Sequence, residues 1–218
     1  FIATSVTGAL LPLLWVLTYS GQLETPTSAF NPFISPLHWH MHEMFFGFGW
    51  ALLGGFLLTA TKNWLGIRGL HGTTLAALMA LWVVDRIAMA YGSNWSAPVV
   101  LTLSFLFMTA IVALLEIDLI RNHGSDSYKD NLYFILALPL FLVAKAALLD
   151  GDINPAIGTT MALALFRLCF LIMLERTLEA FMKGAFGVQL KRIGFMDHAI
   201  KSLGLLLVFT YWMPPISQ

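Results

Sequence analysis

The amino-acid sequence predicts an all-α protein, a polytopic bundle of about seven transmembrane helices. Of its 218 residues, 58% are hydrophobic and only 11% are charged. Soluble domains carry about 25% charged residues because their surface faces water. The twelve basic and twelve acidic side chains balance, so no net field favours nucleic acid. We therefore expect membrane lipid, and not nucleic acid, as the surroundings of this protein.

Seven apolar runs approach the roughly 20 residues that a helix needs to span a bilayer. Short segments with Gly, Pro, Asn and Ser separate them, as expected of turns. We predict one transmembrane domain over residues 1–218, and the ends of the sequence suggest a fragment of a longer chain. The predicted runs are Phe1 to Tyr19, Leu37 to Thr61, Thr73 to Tyr91, Pro98 to Ile120, Leu132 to Leu149, Pro155 to Met182, and Ala199 to Met213.

Lys and Arg residues occupy alternate loops between the predicted helices. The loops at residues 20–36, 92–97 and 150–154 contain none. Cytoplasmic loops are enriched in these residues, so the alternation predicts that the first helix starts in the cytoplasm. The basic residues in or just beyond the other three loops are Lys62, Arg68, Arg121, Lys129, Lys183, Lys191, Arg192 and Lys201.

Three of the six histidines lie within five residues, at the predicted start of the second helix and at its outer end. Histidine is a common metal ligand. His38 and His42 are four residues apart and share a helix face, so together they are candidate ligands of one metal. His40 points about 200° away at 3.6 residues per turn. This helix therefore either presents ligands to two separate metal centres or has an irregular first turn. The alternative is that the histidines bind no metal and are only polar groups at the membrane interface.

Glu43 follows the histidines directly and precedes a stripe of small residues on its own helix face. Gly47, Ala51 and Gly55 continue that face at a spacing of four, which lets another helix approach closely. We therefore expect Glu43 to face the bundle interior. There it is a candidate metal ligand, a carboxylate that orients a histidine, or a proton relay.

The sequence resembles the NnrS family over most of its length, and most specifically from His40 to Trp64. Residues 40–48 (HMHEMFFGF) match the family signature, followed by residues 55–60 (GFLLTA) and 63–64 (NW). NnrS proteins are multi-pass proteins of the bacterial inner membrane, described as binding haem b and copper and linked to the response to nitric oxide. Family members are about twice as long, so this chain resembles their N-terminal half. Other membrane subunits or a missing second half are therefore expected partners.

The resemblance implies a metal site near the periplasmic face. His40 and His42 would be the ligands, Glu43 their carboxylate partner, and His38 an additional histidine beside the pair. A second axial ligand to haem would be a methionine such as Met44 or Met89, an open position, or a residue outside this chain. No catalytic residues are predicted, and the residues do not decide whether the protein is an enzyme.

Four basic residues lie inside the predicted spans. Arg86 and Lys145 fall at the depth of the histidines, where they would contact haem propionates or form ion pairs, Arg86 with Glu43 and Lys145 with Asp85. Arg167, near mid-membrane, should find an acidic partner on another helix. The fourth, Arg176, belongs with Glu175 and Glu179 to a predicted structural network near the cytoplasm.

Two other functional classes remain open at this stage. One is a structural or assembly subunit of a larger membrane complex, with histidines that only donate and accept hydrogen bonds. The other is a proton or solute carrier that uses Glu43, Asp85, Arg86 and Lys145 as a relay. Soluble hydrolases and nucleotide enzymes find no support, because no phosphate loop, nucleophile elbow or CxxC motif is present.

Overall fold

A computed structural model describes residues 2–23, 36–92, 95–125, 129–150, 154–189 and 193–212. The predicted all-α fold is confirmed: the described residues form seven helices in succession and contain no strand. The second helix has three continuous parts, Pro36–His42, a π-helical Glu43–Gly49, and Trp50–Leu65. The other helices are Ile2–Tyr19, Thr73–Tyr91, Ala97–Arg121, Leu132–Leu149, Pro155–Phe186 and Gly194–Leu206, the last followed by a 3-10 segment Leu207–Trp212.

Five of these helices, the second to the sixth, are long and apolar enough to cross a membrane. The first helix offers a shorter apolar stretch, Thr4–Tyr19. The predicted seventh span, Ala199 to Met213, differs from the structure. An α-helix already begins at Gly194, and it tightens into the 3-10 segment after Leu206. The amphipathic start, which carries Asp197, was not visible as part of an apolar run.

Two helices extend beyond their predicted ends because each continues until a glycine can adopt a left-handed conformation. The second helix ends at Leu65, with Gly66 at φ 68°, and the sixth ends at Phe186, with Gly187 at φ 65°. Glycine adopts this conformation without steric cost and commonly ends helices in this way. Hydropathy underestimates such ends because the last turn of a membrane helix is often polar.

The fifth and sixth helices pack closely at Gly158. A Cβ atom there would lie 2.6 Å from the carbonyl oxygen of Ala144 and 2.8 Å from the Cα of Leu148. The main core extends from this contact to the second and fourth helices, through fully buried side chains such as Trp50 and Phe141. The tight contact between two helix backbones holds the fifth helix, and the charges at its two ends, in a fixed position.

Candidate functional site

The α-helical start of the second helix ends at His42, and the π-helical part begins at Glu43. π-Helical turns are rare and occur often at functional sites. The turns that carry the three histidines are regular α-helix, so the first turn is not irregular, and the irregular part begins directly after His42. The π-helical part contains both Glu43 and Gly47, the first residue of the predicted stripe, so it changes which side chains share a face with Glu43.

His42 is completely buried, and its two ring nitrogens have different surroundings. Nδ1–H donates a hydrogen bond to Oε1 of Glu43 at 3.1 Å, while Nε2 is buried without a hydrogen-bond partner among the described residues. A carboxylate only accepts hydrogen bonds, so this contact places the proton on Nδ1 and leaves the Nε2 lone pair free. Histidines that bind metals characteristically show this combination of a carboxylate on one nitrogen and a free second nitrogen.

His40 lies on another side of the helix, as its spacing predicts. Its ring stacks on Trp15 of the first helix, with 4.2 Å between ring centroids, and its buried Nδ1 has no hydrogen-bond partner among the described residues. His38 is half-buried. No set of three or more potential ligands within the described residues includes any of these histidines. His40 and His42 therefore face separate environments, and the three histidines do not converge on one metal.

A chain of buried charges leads from His42 to the third and fifth helices. Arg86 contacts Oε2 of Glu43 through Nη1 and Oδ2 of Asp85 through Nη2, the latter at 2.6 Å. Lys145 Nζ lies 3.7 Å from the same Asp85 oxygen and donates to the Ser104 carbonyl at 2.5 Å. The structure thus contains both ion pairs that the sequence suggested. Two cations balance two carboxylates, so the cluster is neutral with an uncharged His42.

Gly47 makes this arrangement possible. A Cβ atom at Gly47 would lie 2.9 Å from Glu43 Oε2 and 3.0 Å from Arg86 Cζ, so the absent side chain leaves room for the guanidinium group. The Gly47 carbonyl accepts a hydrogen bond from Trp82 Nε1 at 3.1 Å. The predicted stripe does not continue to Gly55, where a Cβ would contact nothing within 4 Å. A π-helical turn accommodates an extra residue, which moves the following positions off the Glu43 face.

The residues fit a bound metal at His42 better than they fit haem propionates at the basic side chains. Both Nη atoms of Arg86 already contact carboxylates, and Lys145 is held by Asp85 and Ser104. In contrast, Nε2 of His42 is a buried polar atom with an unused lone pair. Met44 and Met89 pack in one small apolar cluster at this end of the bundle, so thioether groups also lie in the region.

A second charged cluster lies at the opposite end of the fifth helix and is centred on Lys201. Its Nζ lies 2.7 Å from Asp130, 2.9 Å from Glu175 and 2.6 Å from Asp197. These three carboxylates approach one another closely enough to hold a metal, but the ammonium group already occupies their centre. The cluster contains Glu175 and Arg176, two of the three residues of the structural network predicted from the sequence, and Arg176 Nη2 lies 2.6 Å from Asp130.

Sequence reasoning missed Asp130, Asp197 and Lys201 as members of this cluster. Burial by itself would raise the pKa of Asp130, but its hydrogen bond from Lys201 and the nearby Arg176 lower that pKa below its usual value. Asp130 and Lys201 are 71 residues apart in sequence, so no spacing rule could have paired them. The one available signal was an acidic residue just before the fifth helix.

The expectation for Arg167 is not met within the described part of the chain. Its side chain is exposed, and neither an ion pair nor a hydrogen bond connects it to another described residue. No acidic side chain of the neighbouring second or seventh helix reaches it. Arg167 faces outward from the sixth helix, between two apolar grooves.

These features define the protein as a polytopic helical membrane protein with a histidine–carboxylate pair buried inside a neutral charge network. The sequence model of the NnrS protein family matches residues 1–218. The chain therefore belongs to the NnrS family, as the resemblance around His40 and His42 indicated. Comparison with curated proteins and with solved structures returned no match.

Proposed function

We propose that this protein binds haem and copper near the periplasmic face of the bacterial inner membrane and takes part in handling nitric oxide or the stress it causes. The observation that carries this proposal is the buried, unpartnered Nε2 of His42, whose ring is oriented by Glu43 through Nδ1. Family membership supports the same choice of cofactors. Imidazole nitrogen is a suitable ligand for both iron and copper.

His42 would hold one metal through Nε2. Glu43 would keep the proton of His42 on Nδ1, and its own charge is offset by Arg86, which Asp85 holds in place. A carboxylate behind a metal-bound histidine fixes the ring and raises its basicity. When bound, the metal would supply reversible one-electron chemistry or a binding position for nitric oxide. Arg86 and Lys145 would then support the centre through the two carboxylates rather than by contacting a propionate.

His40 would serve a separate centre at the contact between the first and second helices. Its stacking on Trp15 fixes the plane of the ring, and the half-buried position leaves it closer to the surface than His42. Two histidines on different sides of one helix match a protein with two kinds of metal. His38, next to the same helix start, would line the approach to this second centre.

Absorption spectra of the purified protein, oxidised and dithionite-reduced, test the proposal together with elemental analysis for iron and copper. We expect a Soret band in the wild type and the loss of one metal in His42→Ala. The matched control is His71→Ala, an exposed loop histidine at the other end of the second helix. Loss of the Soret band would assign iron to His42, and loss of copper with retained Soret absorption would assign copper.

A wild-type protein that contains neither metal would contradict the proposal. So would a His42→Ala variant that keeps both metals at wild-type stoichiometry. The first result would favour the structural-subunit interpretation, and the second would show that both metals are held by residues other than His42. Glu43→Gln provides an independent check, because loss of the charge behind His42 should raise the midpoint potential of the metal even where the metal is retained.

A further inference from the structure

Arg167 is an exposed cation at about the middle of the longest helix. It follows Pro155 by twelve residues, which corresponds to about 18 Å along the helix axis. The half-thickness of the hydrocarbon core is about 15 Å. In the other direction the next charged residue of this helix is Glu175, about 12 Å away. The guanidinium group therefore lies too deep to reach either polar interface by extending along the helix.

The surface around Arg167 is an apolar groove between the second and sixth helices with a volume of about 660 Å³. Leu52, Phe56, Phe170 and Leu174 line it, and Phe170 and Leu174 are 48% and 63% exposed. Lipid tails alone could cover these side chains, but they cannot neutralise Arg167. A charged group near the centre of a membrane is expensive and almost always pairs within a protein interior.

A second copy of the chain is a poor candidate to cover this groove. Two copies with the same orientation in the membrane and related by a two-fold axis would place one Arg167 against the other. The sixth helix contains no Asp or Glu between Pro155 and Leu174 to compensate that repulsion. A phospholipid headgroup is a poorer partner than a carboxylate on a neighbouring helix, since the bilayer would have to thin locally to bring it to the middle of the sixth helix.

We propose that this groove is a docking site for a transmembrane helix of a partner protein. That helix carries a carboxylate at mid-membrane depth. The carboxylate forms a bidentate ion pair with Arg167, a geometry that suits the planar guanidinium group. The apolar remainder of the partner helix covers Phe170 and Leu174. This assignment rests on Arg167 and its groove and is independent of the metal site at the outer end of the bundle.

Synthetic membrane-spanning peptides test this docking directly. Three Leu/Ala helices differ only at the central residue, which is Glu, Gln or Leu. Each peptide carries a donor fluorophore at one end. The protein carries an acceptor on a Gly184→Cys substitution, and both are placed in phosphatidylcholine vesicles at pH 8. Gly184 lies at an open position, and the native Cys169 is buried, so labelling is confined to the introduced thiol.

We expect the Glu peptide to bind the wild type about tenfold more tightly than the Gln or Leu peptide, or about 1.4 kcal/mol. Arg167→Leu should abolish this preference, while Lys183→Leu, an exposed charge at the end of the same helix, should retain it. Arg167→Glu should prefer a peptide with a central Lys. Unchanged thermal unfolding of each variant confirms that its fold is intact.

Equal binding of all three peptides to the wild type would overturn the proposal and leave the groove to lipid. A preference for Glu that survives in Arg167→Leu would also overturn it. Energy transfer between two labelled copies without peptide, lost in Arg167→Leu, would assign the groove to a second copy and would likewise contradict the proposal.

Discussion

Replacing Gly47 by alanine should disturb the buried charge network without removing any of its charges. The new Cβ would lie 2.9 Å from Glu43 Oε2 and 3.0 Å from Arg86 Cζ, whereas ordinary van der Waals contacts begin near 3.4 Å. The guanidinium group cannot move away freely, because Glu43 and Asp85 hold it from two sides. Overpacking of this kind costs about 1–3 kcal/mol, partly offset by about 0.5–1 kcal/mol from the better helix propensity of alanine.

We therefore expect Gly47→Ala to lower the free energy of unfolding by about 1–2 kcal/mol. The matched control is Gly55→Ala on the same helix, where a Cβ meets nothing within 4 Å. That change should be neutral or stabilise by up to about 1 kcal/mol. Tryptophan fluorescence during reversible unfolding in mixed micelles measures both variants.

A double-mutant cycle identifies the cause of the Gly47 effect. In an Arg86→Ala background the guanidinium group is absent, so Gly47→Ala should lose most of its cost, a coupling well above the 0.3–0.5 kcal/mol or so of additive sites. Equal stability of Gly47→Ala and Gly55→Ala would refute the reasoning. An unchanged cost in the Arg86→Ala background would refute it as well.

Two further predictions concern the other contacts that fix the bundle. Gly158→Ala should destabilise the protein by roughly 3 kcal/mol, because its Cβ would collide with the backbone of the fifth helix and no side-chain movement can relieve that collision. The control Gly184→Ala lies in open space on the same helix and should leave the stability unchanged. Thermal unfolding measures both variants. Asp130→Asn should cost about 1.5–3 kcal/mol, since it removes the charged hydrogen-bond partner that Arg176 and Lys201 share, while Lys201 keeps Glu175 and Asp197. The lowered pKa of Asp130 means that its contribution is present above its ordinary pKa and is lost as the pH falls through the lower folded-state value. Unfolding midpoints measured as the pH falls below about 4 should therefore decline more steeply in the wild type than in Asp130→Asn.

Most of the fold could be predicted from the sequence because a membrane-spanning helix requires a long uninterrupted apolar run. The fifth helix, Leu132–Leu149, has the predicted bounds at both ends. The seventh helix does not, because its first turns are amphipathic and the apolar run begins only at Ala199. The π-helical part at Glu43 has no signal in hydropathy. Its contacts with the guanidinium group beside Gly47 and with Trp82 are tertiary contacts, which spacing along the chain does not reveal.

The candidate site was predictable where it depends on spacing within one helix and unpredictable where it depends on contacts between helices. The two-residue spacing of His40 and His42 correctly placed them in different environments. The positions of Arg86 and Lys145 along their helices correctly predicted that both lie at the level of Glu43. They did not show whether these side chains form ion pairs or contact haem propionates. For Arg167 the sequence predicted an acidic partner on another helix, and the described residues supply none.

The central claim is that Nε2 of His42 is a metal ligand, and chemical rescue tests it most directly. His42→Gly removes the imidazole and opens a space into which free imidazole can diffuse. Absorption spectra and metal content are recorded for the purified variant with and without imidazole. We expect one metal signature to be lost in His42→Gly and to return with imidazole, while His71→Gly behaves as the wild type. A His42→Gly variant with the wild-type spectrum and the wild-type metal content before imidazole is added would contradict it.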